Sequence, residues 1–255
     1  MHVETTGTGD PILLIHPTGG STEWWGAVRD DLVTDHRVTA FDRRGYGQTG
    51  GKPCRDLRKH AADAAELIDA PAVVVGWSSG GATALQLALD HPEKVTGLVV
   101  LEPPVHALRC ATPRLLRAIT RAKALQLRGQ DVAGAVSFQR WASSYAHGGN
   151  AYDRLPAERQ ADVQGAARSV LADLDASPHG AGGDHLRLDR FPTLPVPATL
   201  VLGAASEEWF HRMAHRLGLA WPALKMDVVA GGSHFLGFDA PDRVVAAVRD
   251  VAARA

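Results

Sequence analysis

The feature that most constrains the fold of this chain is a set of short apolar runs, rich in valine, leucine and isoleucine, separated by helical patterns. Runs of this length and composition are typical of strands in a sheet that is covered on both faces. They cover residues 12–15, 37–41, 72–75, 98–101, 198–202 and 225–229. Between the third and fourth runs, residues 79–90 have the alanine- and leucine-rich pattern of a helix. Strand, helix and strand at this spacing predict an α/β fold, with a mostly parallel central sheet flanked by helices.

The strand pattern stops after the fourth run and returns only with the fifth. Between them the periodicity indicates helices, among them residues 114–128 and 131–145. We therefore predict an α/β core formed by residues 1–103 and 196–255, interrupted by a helical insertion at residues 104–195. An insertion after the carboxyl end of a strand lies over the usual ligand crevice of an open α/β sheet, so we expect this one to form a cap.

Composition and charge exclude several classes of protein. The 255 residues include 27 Lys+Arg and 28 Asp+Glu, so no global charge favours nucleic acid as a partner. The hydrophobic fraction of 45% is too high for a disordered chain, and no apolar run reaches the roughly 18 residues of a membrane span. Two cysteines, Cys54 and Cys110, are too few for a disulfide framework. The N-terminus does not resemble a secretory signal, so we expect a cytoplasmic protein. The sequence leaves the oligomeric state open.

A G-x-S-x-G motif, Gly76-Trp77-Ser78-Ser79-Gly80, lies between a predicted strand and a predicted helix. A serine on such a sharp turn projects its hydroxyl clear of the backbone, and the following helix directs free N–H groups at developing negative charge. The motif therefore predicts that Ser78 is a nucleophile. The alternative is a glycine-rich loop that only reverses the chain.

A serine hydroxyl needs a base, and His234 is the candidate among 12 histidines. It lies in Gly231-Gly232-Ser233-His234-Phe235, after the last predicted strand and before the final helical pattern. A loop at the carboxyl edge of that strand can reach the same crevice as Ser78.

Four segments in this order, HPTGG at 16–20, FDRRGYGQT at 41–49, GWSSGG at 76–81 and GGSHF at 231–235, resemble the α/β-hydrolase superfamily with a cap domain. The resemblance covers nearly the whole chain. It implies an oxyanion hole made by the backbone N–H groups of Thr18 and Ser79, and a reaction that needs no cofactor and no metal. It also implies a structural turn, without chemistry, for residues 42–47.

The third member of a triad is less apparent. Where the family usually has an aspartate, this chain has Ser206, and a hydroxyl cannot stabilise an imidazolium as a carboxylate does. We predict that Glu102, at the end of the fourth strand, is the acid, with Glu207 as the alternative. Pro103 should hold Glu102 in an extended conformation. Either glutamate can instead be purely structural, in an ion pair or in the first turn of a helix.

A narrower resemblance is to zearalenone-type lactonases, through Ser78-Ser79-Gly80, Glu102-Pro103 and Gly203-Ala204-Ala205 ahead of Trp209-Phe210. It implies a lactone or ester substrate. Four aromatic residues near these motifs or in the insertion predict a pocket for a bulky apolar substrate, with core packing as the alternative. They are Trp77, Trp24, Trp141 and Tyr145.

Together these features predict a serine hydrolase that cleaves a small-molecule carboxylic ester or lactone through a Ser-His-Glu triad and an acyl-enzyme. The alternatives are a thioesterase or C–C bond hydrolase with the same triad, or a ligand-binding protein on this scaffold. The basic run from Arg109 to Arg128 can dock phosphates of a thioester carrier, or it can be a solvated helix face. His211 and His215 have no evident third ligand nearby, so we predict no metal site.

Overall fold

A seven-stranded sheet forms the centre of the computed structural model, which describes residues 1–146, 148–175 and 186–255. The strand order is β1-β3-β2-β4-β5-β6-β7; β1 runs antiparallel to β3 and all other neighbours are parallel. The strands are β1 (Val3–Thr6), β2 (Pro11–Ile15), β3 (Arg37–Phe41), β4 (Ala72–Trp77), β5 (Val95–Leu101), β6 (Ala198–Gly203) and β7 (Lys225–Val229). The predicted mostly parallel α/β sheet is confirmed.

Helices cover both faces of this sheet. The α-helices in the described residues are α1 (Gly26–Leu32), α2 (Leu57–Glu66), α3 (Ser79–Asp90), α4 (Pro113–Leu127), α5 (Asp131–Ala142), α6 (Ala157–Gly165), α7 (Ala167–Asp173), α8 (Glu208–Ala220), α9 (Leu236–Asp239) and α10 (Pro241–Ala252). Short 3₁₀ helices cover Thr22–Trp25, Pro92–Lys94, Ala107–Cys110, Tyr152–Arg154 and Leu188–Thr193. Helices α2, α3 and α8 pack on one face of the sheet, and α1 and α10 pack on the other.

The core explains why the apolar runs form strands. Every residue of β4 is buried, and its successive valines alternate between the two hydrophobic clusters: Val74 packs with α3, whereas Val73 and Val75 pack with α10. β1 was not predicted, because its sequence VETT is largely exposed and carries no apolar signal. It forms at the sheet edge by pairing with β3.

Helices α4, α5, α6 and α7 lie between the end of β5 and the start of β6. The segment predicted as an insertion, residues 104–195, contains these helices, and we call it the helical insertion. Its residues 147 and 176–185 lie outside the described residues. The predicted helix at 131–145 ends earlier, at Ala142. That the insertion is a separate cap stays a prediction.

The topology brings four candidate site residues to one edge of the sheet. Because β2, β4, β5 and β7 are parallel, their carboxyl ends meet at the same edge. Thr18 follows β2, Ser78 follows β4, Glu102 follows β5 and His234 follows β7.

No helix within the described ranges is both long enough and apolar enough to cross a membrane.

Candidate active site

Ser78 occupies a sharp turn between β4 and α3. Its backbone has φ 53° and ψ −121°, a conformation that non-glycine residues rarely adopt. The turn depends on close approach of the neighbouring backbone, since a Cβ on Gly80 would lie 2.1 Å from the carbonyl oxygen of Ile15. A Cβ on Gly76 would lie 2.4 Å from the carbonyl oxygen of Gly80. The strained turn presents the hydroxyl of Ser78 to a cavity.

His234 lies beside this serine, although 156 residues separate them in the sequence. Its Nε2 is 3.0 Å from Ser78 Oγ. The imidazole is 3% exposed and stacks on the ring of Phe210, with ring centroids 3.9 Å apart. The backbone carbonyl of His234 accepts a hydrogen bond from Trp77 Nε1 at 2.8 Å. Phe210 on α8 therefore fixes the imidazole ring, and Trp77 on β4 fixes the backbone of the loop that carries His234.

Glu102 contacts the other imidazole nitrogen of His234. Its Oε2 lies 2.7 Å from Nδ1, and its Oε1 accepts hydrogen bonds from Gly203 N–H at 2.7 Å and from Ser206 Oγ at 2.6 Å. Ser206, at the position where the family usually has an aspartate, thus orients the glutamate. The expected extended conformation is wrong: Glu102 has φ 44°, a left-handed conformation that turns its side chain toward His234 across the edge of the sheet.

Glu207, the alternative acid, lies elsewhere. It is 2% exposed, and its Oε1 is 2.6 Å from Arg114 Nη2 and 2.7 Å from Ser144 Oγ. Both partners belong to the helical insertion. Glu207 therefore connects the start of α8 to the insertion. The carboxylate that contacts Nδ1 of His234 is that of Glu102.

Thr18, which follows β2, and Ser79, which begins α3, both line the cavity beside Ser78. Ser79 begins α3, so its backbone N–H belongs to the positive end of that helix. Neither residue's backbone N–H donates to another group among the described residues. Their side chains lie 2.8 Å apart, between Thr18 Oγ1 and Ser79 Oγ.

The loop before Thr18 is fixed by His16. Its Nδ1 donates to the carbonyl of Pro17 at 2.8 Å, and its Nε2 accepts from the backbone N–H of Arg43 at 3.0 Å. Burial and the nearby Arg43 lower the pKa of His16 well below its ordinary value, so the ring stays neutral. His16 is thus a packing residue that holds this loop.

A buried polar cluster behind the loop at residues 16–20 was missed by the sequence reasoning. Arg43 Nη2 donates to Ser79 Oγ at 2.8 Å, and the guanidinium lies 4.7 Å from the centre of the Tyr46 ring. Asp173, at the end of α7, accepts hydrogen bonds from Thr18 Oγ1 at 2.7 Å and Tyr46 Oη at 2.6 Å. Burial raises the pKa of Asp173, although Arg43 and these hydrogen bonds oppose the shift.

No local signal in the sequence could have identified Asp173, because its partners lie far away along the chain. Arg43 lies in the turn at residues 42–47, to which the resemblance assigned no chemistry. Two adjacent arginines in that turn were the one available hint, and only the fold distinguishes them. Arg44 pairs with Asp63 near the surface, whereas Arg43 is fully buried.

A cavity of about 480 Å³ lies over these groups. Its polar lining includes Ser78, His234, Thr18, Ser79, Gln139 and Asp173. The rest of its wall is mainly apolar, from the 3₁₀ helix Ala107–Cys110 and from α4, α5 and α8. Such a cavity suits a ligand with a large apolar part and a polar group placed near Ser78.

The four aromatic residues predicted to line the pocket do not line this cavity. Trp24 and Trp77 are at most 1% exposed and pack against each other with ring centroids 5.8 Å apart. Trp77 precedes Ser78 on a strand, so its side chain points to the opposite side of the sheet. Trp141 packs behind the wall, against Trp209 and Phe210.

Tyr145, the fourth of these aromatics, follows α5 rather than belonging to it. Its hydroxyl accepts a hydrogen bond from Arg154 at 3.3 Å. The prediction of an aromatic pocket is therefore wrong for these four residues. Phe138, Trp209, Phe210 and Phe235 supply aromatic surface to the cavity instead.

Two members of the basic run from Arg109 to Arg128 form ion pairs with carboxylates of the protein. Arg114 pairs with Glu207, and Lys123 pairs with Asp175 and donates to the carbonyl of Leu171. Within the part of the chain that the structure describes, no three His, Cys, Asp or Glu residues are grouped so as to hold a metal ion.

Comparison with known proteins gives a family match over most of the chain. The model of the alpha/beta hydrolase family matches residues 12–247. RutD of Variovorax paradoxus (strain S110), named as a carbamate hydrolase, is 36% identical over 134 residues, which are 45% of this chain and 48% of that protein. A pimeloyl-(acyl-carrier protein) methyl ester esterase of Salmonella heidelberg (strain SL476) is 34% identical over 99 residues, 38% of this chain and 39% of that protein. The chain thus spans less than half the length of these curated relatives.

Solved structures agree over nearly the full length. Est816, described as an N-acyl homoserine lactone degrading enzyme, has a TM-score of 0.75 and 22% identity, covering 98% of this chain and 95% of that one. An enol-lactonase from Burkholderia xenovorans LB400 has a TM-score of 0.71 and 19% identity, covering 99% and 96%. At these identities the likeness demonstrates a common fold.

Proposed function

The chain belongs to the alpha/beta hydrolase family, and from that premise we propose that it is a serine hydrolase that cleaves a carboxylic ester or lactone. Ser78 is the nucleophile, His234 the base and Glu102 the acid. The observation that carries the proposal is the continuous contact Ser78 Oγ–His234 Nε2 at 3.0 Å and His234 Nδ1–Glu102 Oε2 at 2.7 Å, beside a largely apolar cavity.

In the first step, Ser78 Oγ attacks the carbonyl carbon of the substrate while His234 Nε2 takes the hydroxyl proton. A bond forms between Oγ and carbon, and the carbonyl π electrons move to its oxygen. Glu102, buried against Nδ1, stabilises the imidazolium and holds the ring in the tautomer whose Nε2 can accept a proton.

The negative oxygen would be bound by the backbone N–H groups of Thr18 and Ser79. Both lie beside the cavity, and both are without another partner among the described residues. The N-terminus of α3 adds a favourable dipole at the same place. Two such preorganised donors stabilise the tetrahedral intermediate more than the planar substrate.

Collapse of the intermediate breaks the carbon–oxygen bond to the leaving group, which takes the proton from His234 Nε2. In a lactone the leaving alcohol stays attached to the acyl group; in an ester it departs. Water then attacks the acyl-enzyme, with His234 taking one of its protons, and Ser78 recovers its proton when the acid is released. The scheme needs no cofactor.

The cavity wall supports a substrate with a bulky apolar part. Leu115, Ile119 and Phe138 come from the helical insertion, and Phe210 comes from α8 beside His234. We therefore propose that the insertion acts as a cap that chooses the substrate. The resemblance to zearalenone-type lactonases makes aryl lactones the first class to test.

The direct test uses a fluorophosphonate probe and the chromogenic ester p-nitrophenyl butyrate. Wild type should form a covalent adduct at Ser78, identified by peptide mass, and should release nitrophenolate. Ser78→Ala should abolish both, whereas the control Ser144→Ala, which removes a serine away from His234, should keep the adduct. A wild-type protein that forms no adduct and hydrolyses no ester would be a ligand-binding protein on this scaffold.

A substrate panel then defines the reaction class. Aryl esters, aryl lactones, acyl thioesters and vinylogous 1,5-diketones are compared at equal enzyme concentration. We expect the highest kcat/KM on an ester or a lactone with a ring or long chain in its acyl part. A strong preference for thioesters or for C–C cleavage would overturn the ester or lactone assignment while keeping the serine mechanism.

A further inference from the structure

A chain of buried hydrogen bonds runs behind the proposed oxyanion hole, from Arg43 to Asp173. Arg43 Nη2 donates to Ser79 Oγ at 2.8 Å. Thr18 Oγ1 lies 2.8 Å from Ser79 Oγ and 2.7 Å from Asp173 Oδ2. Thr18 Oγ1 is the donor toward both groups, so its single hydroxyl proton is shared between Ser79 Oγ and the carboxyl group of Asp173. The chain thus links the guanidinium of Arg43 to the carboxyl group of Asp173 through two hydroxyl groups.

The two ends of this chain are charged and buried. The side chains of Arg43 and Asp173 are 0% and 3% exposed, and Nη2 and Oδ2 are 3.7 Å apart. Nε and Nη1 of Arg43 have no partner among the described residues. Fold stability alone does not favour such an arrangement, because the penalty for desolvating two charges can exceed their attraction.

The insertion holds Thr18 at a second point. Gln139, on α5, donates from Nε2 to the backbone carbonyl of Thr18 at 2.6 Å. The hydroxyl of Thr18 is held by Asp173 on α7. With its side chain and its carbonyl both anchored, the residue cannot rotate freely, and the direction of its N–H is fixed.

Asp173 is itself held from the core. Tyr46 Oη donates to its Oδ2 at 2.6 Å, and the Tyr46 ring lies under the guanidinium of Arg43. The carboxylate thus joins three elements: the loop after β2, the turn after β3 and the end of α7. Its place is determined by the position of the insertion on the core.

We infer that Asp173 is a positioning residue, which acts through the side chains of Thr18 and Ser79 to hold the two oxyanion donors in the geometry that the transition state needs. The inference rests on the proposed function. It makes the insertion part of the catalytic machinery, because a displacement of α7 would release Thr18 and weaken the oxyanion hole.

The test measures binding of a transition-state mimic rather than activity alone. A trifluoromethyl ketone with an apolar chain forms a hemiketal with the serine, whose oxyanion occupies the hole. Thr18→Val removes the hydroxyl and leaves the shape and charge, and Asp173→Ala removes the carboxylate. Each variant should weaken inhibition by the ketone and lower kcat/KM by the same factor, about ten- to a hundredfold. This loss is smaller than the ~10²–10³ in kcat that removal of an oxyanion donor costs, because the donor itself remains. Thr18→Ser should restore wild-type values.

Two comparisons separate a positioning effect from general destabilisation. If Asp173 acts through Thr18, the double variant should lose no more than the larger single loss. Glu207→Gln is the matched control: it alters another buried carboxylate that ties the insertion to the core but touches neither Thr18 nor Ser79. Glu207→Gln should lower Tm without weakening the binding of the trifluoromethyl ketone. If Asp173→Ala does not fold, Thr18→Val and Thr18→Ser still test the chain.

The inference is overturned if wild type is labelled at Ser78 and hydrolyses esters, yet Thr18→Val binds the ketone within twofold of wild type. The inference is also overturned if the losses in ketone binding of Thr18→Val and Asp173→Ala add up in the double variant. It is overturned as well if Glu207→Gln weakens the binding of the ketone as much as these variants do. A wild type without adduct and turnover refutes the proposed function and this inference with it.

Discussion

Replacing Glu102 with glutamine tests the triad with the least change in shape. The side chain is 0% exposed, and its carboxylate has three contacts: His234 Nδ1 at 2.7 Å, Gly203 N–H at 2.7 Å and Ser206 Oγ at 2.6 Å. Glutamine can keep the last two through its carbonyl oxygen. Its amide group then faces His234 and donates to Nδ1, which leaves the ring proton on Nε2. That nitrogen can no longer accept the proton of Ser78.

The expected loss follows from the same geometry. A unit charge pair 2.7 Å apart is worth about 6 kcal/mol at an effective dielectric constant of about 20. The imidazolium formed in the transition state loses this stabilisation, so kcat should fall by about 10⁴-fold, or ~5.5 kcal/mol. KM should change little, because Glu102 does not line the cavity.

The assay is steady-state hydrolysis of a chromogenic ester, with urea unfolding to check that the variant folds. Glu207→Gln is the control and should keep kcat within about threefold, because Glu207 contacts the insertion rather than His234. The reasoning is refuted if Glu102→Gln loses less than tenfold in kcat, and more clearly so if Glu207→Gln loses more. Ser206→Ala should fall between them, since it removes one of the groups that orient Glu102.

Three further predictions concern the fold and the cavity. Gly80→Ala should lower the free energy of unfolding in urea by about 3 kcal/mol, because its Cβ would lie 2.1 Å from the carbonyl oxygen of Ile15; an unchanged midpoint would contradict the close approach. Burial lowers the pKa of His60 to about 3, while in the unfolded chain it is about 6.5. The unfolded state therefore binds more protons between these values, and stability present above pH 6.5 is lost as the pH falls, by up to ~1.4 kcal/mol per pH unit. His60→Gln should reduce that slope between pH 4 and 6, and an equal slope in both proteins would show that another group is responsible. Ala142→Leu should fill part of the 480 Å³ cavity and raise KM for a naphthyl ester about tenfold while leaving an acetate ester nearly unchanged; equal effects on both substrates would argue against binding there.

The sequence was sufficient for the features that depend on local pattern. Apolar runs such as 72–75 predict buried strands because burial on both faces selects for uninterrupted β-branched residues, and β4 forms there. The four segments at 16–20, 41–49, 76–81 and 231–235 resemble the α/β-hydrolase family, and the match to residues 12–247 confirms that family. Ser78 and His234 were proposed as site residues because each follows a strand in a glycine-rich loop, and the structure places their side chains 3.0 Å apart.

Only the tertiary structure decided which side chains share a space. Asp173 lies 155 residues from Thr18, and no local pattern connects them; α7 brings the carboxylate to the loop by packing on the core. Trp77 is the opposite case, a sequence neighbour of Ser78 that does not line the cavity with it. Its place beside Ser78 in the sequence indicates a pocket, but the alternation of side chains along β4 turns it into the opposite core. Local periodicity determines which elements form, whereas the contacts between distant elements depend on how those elements pack.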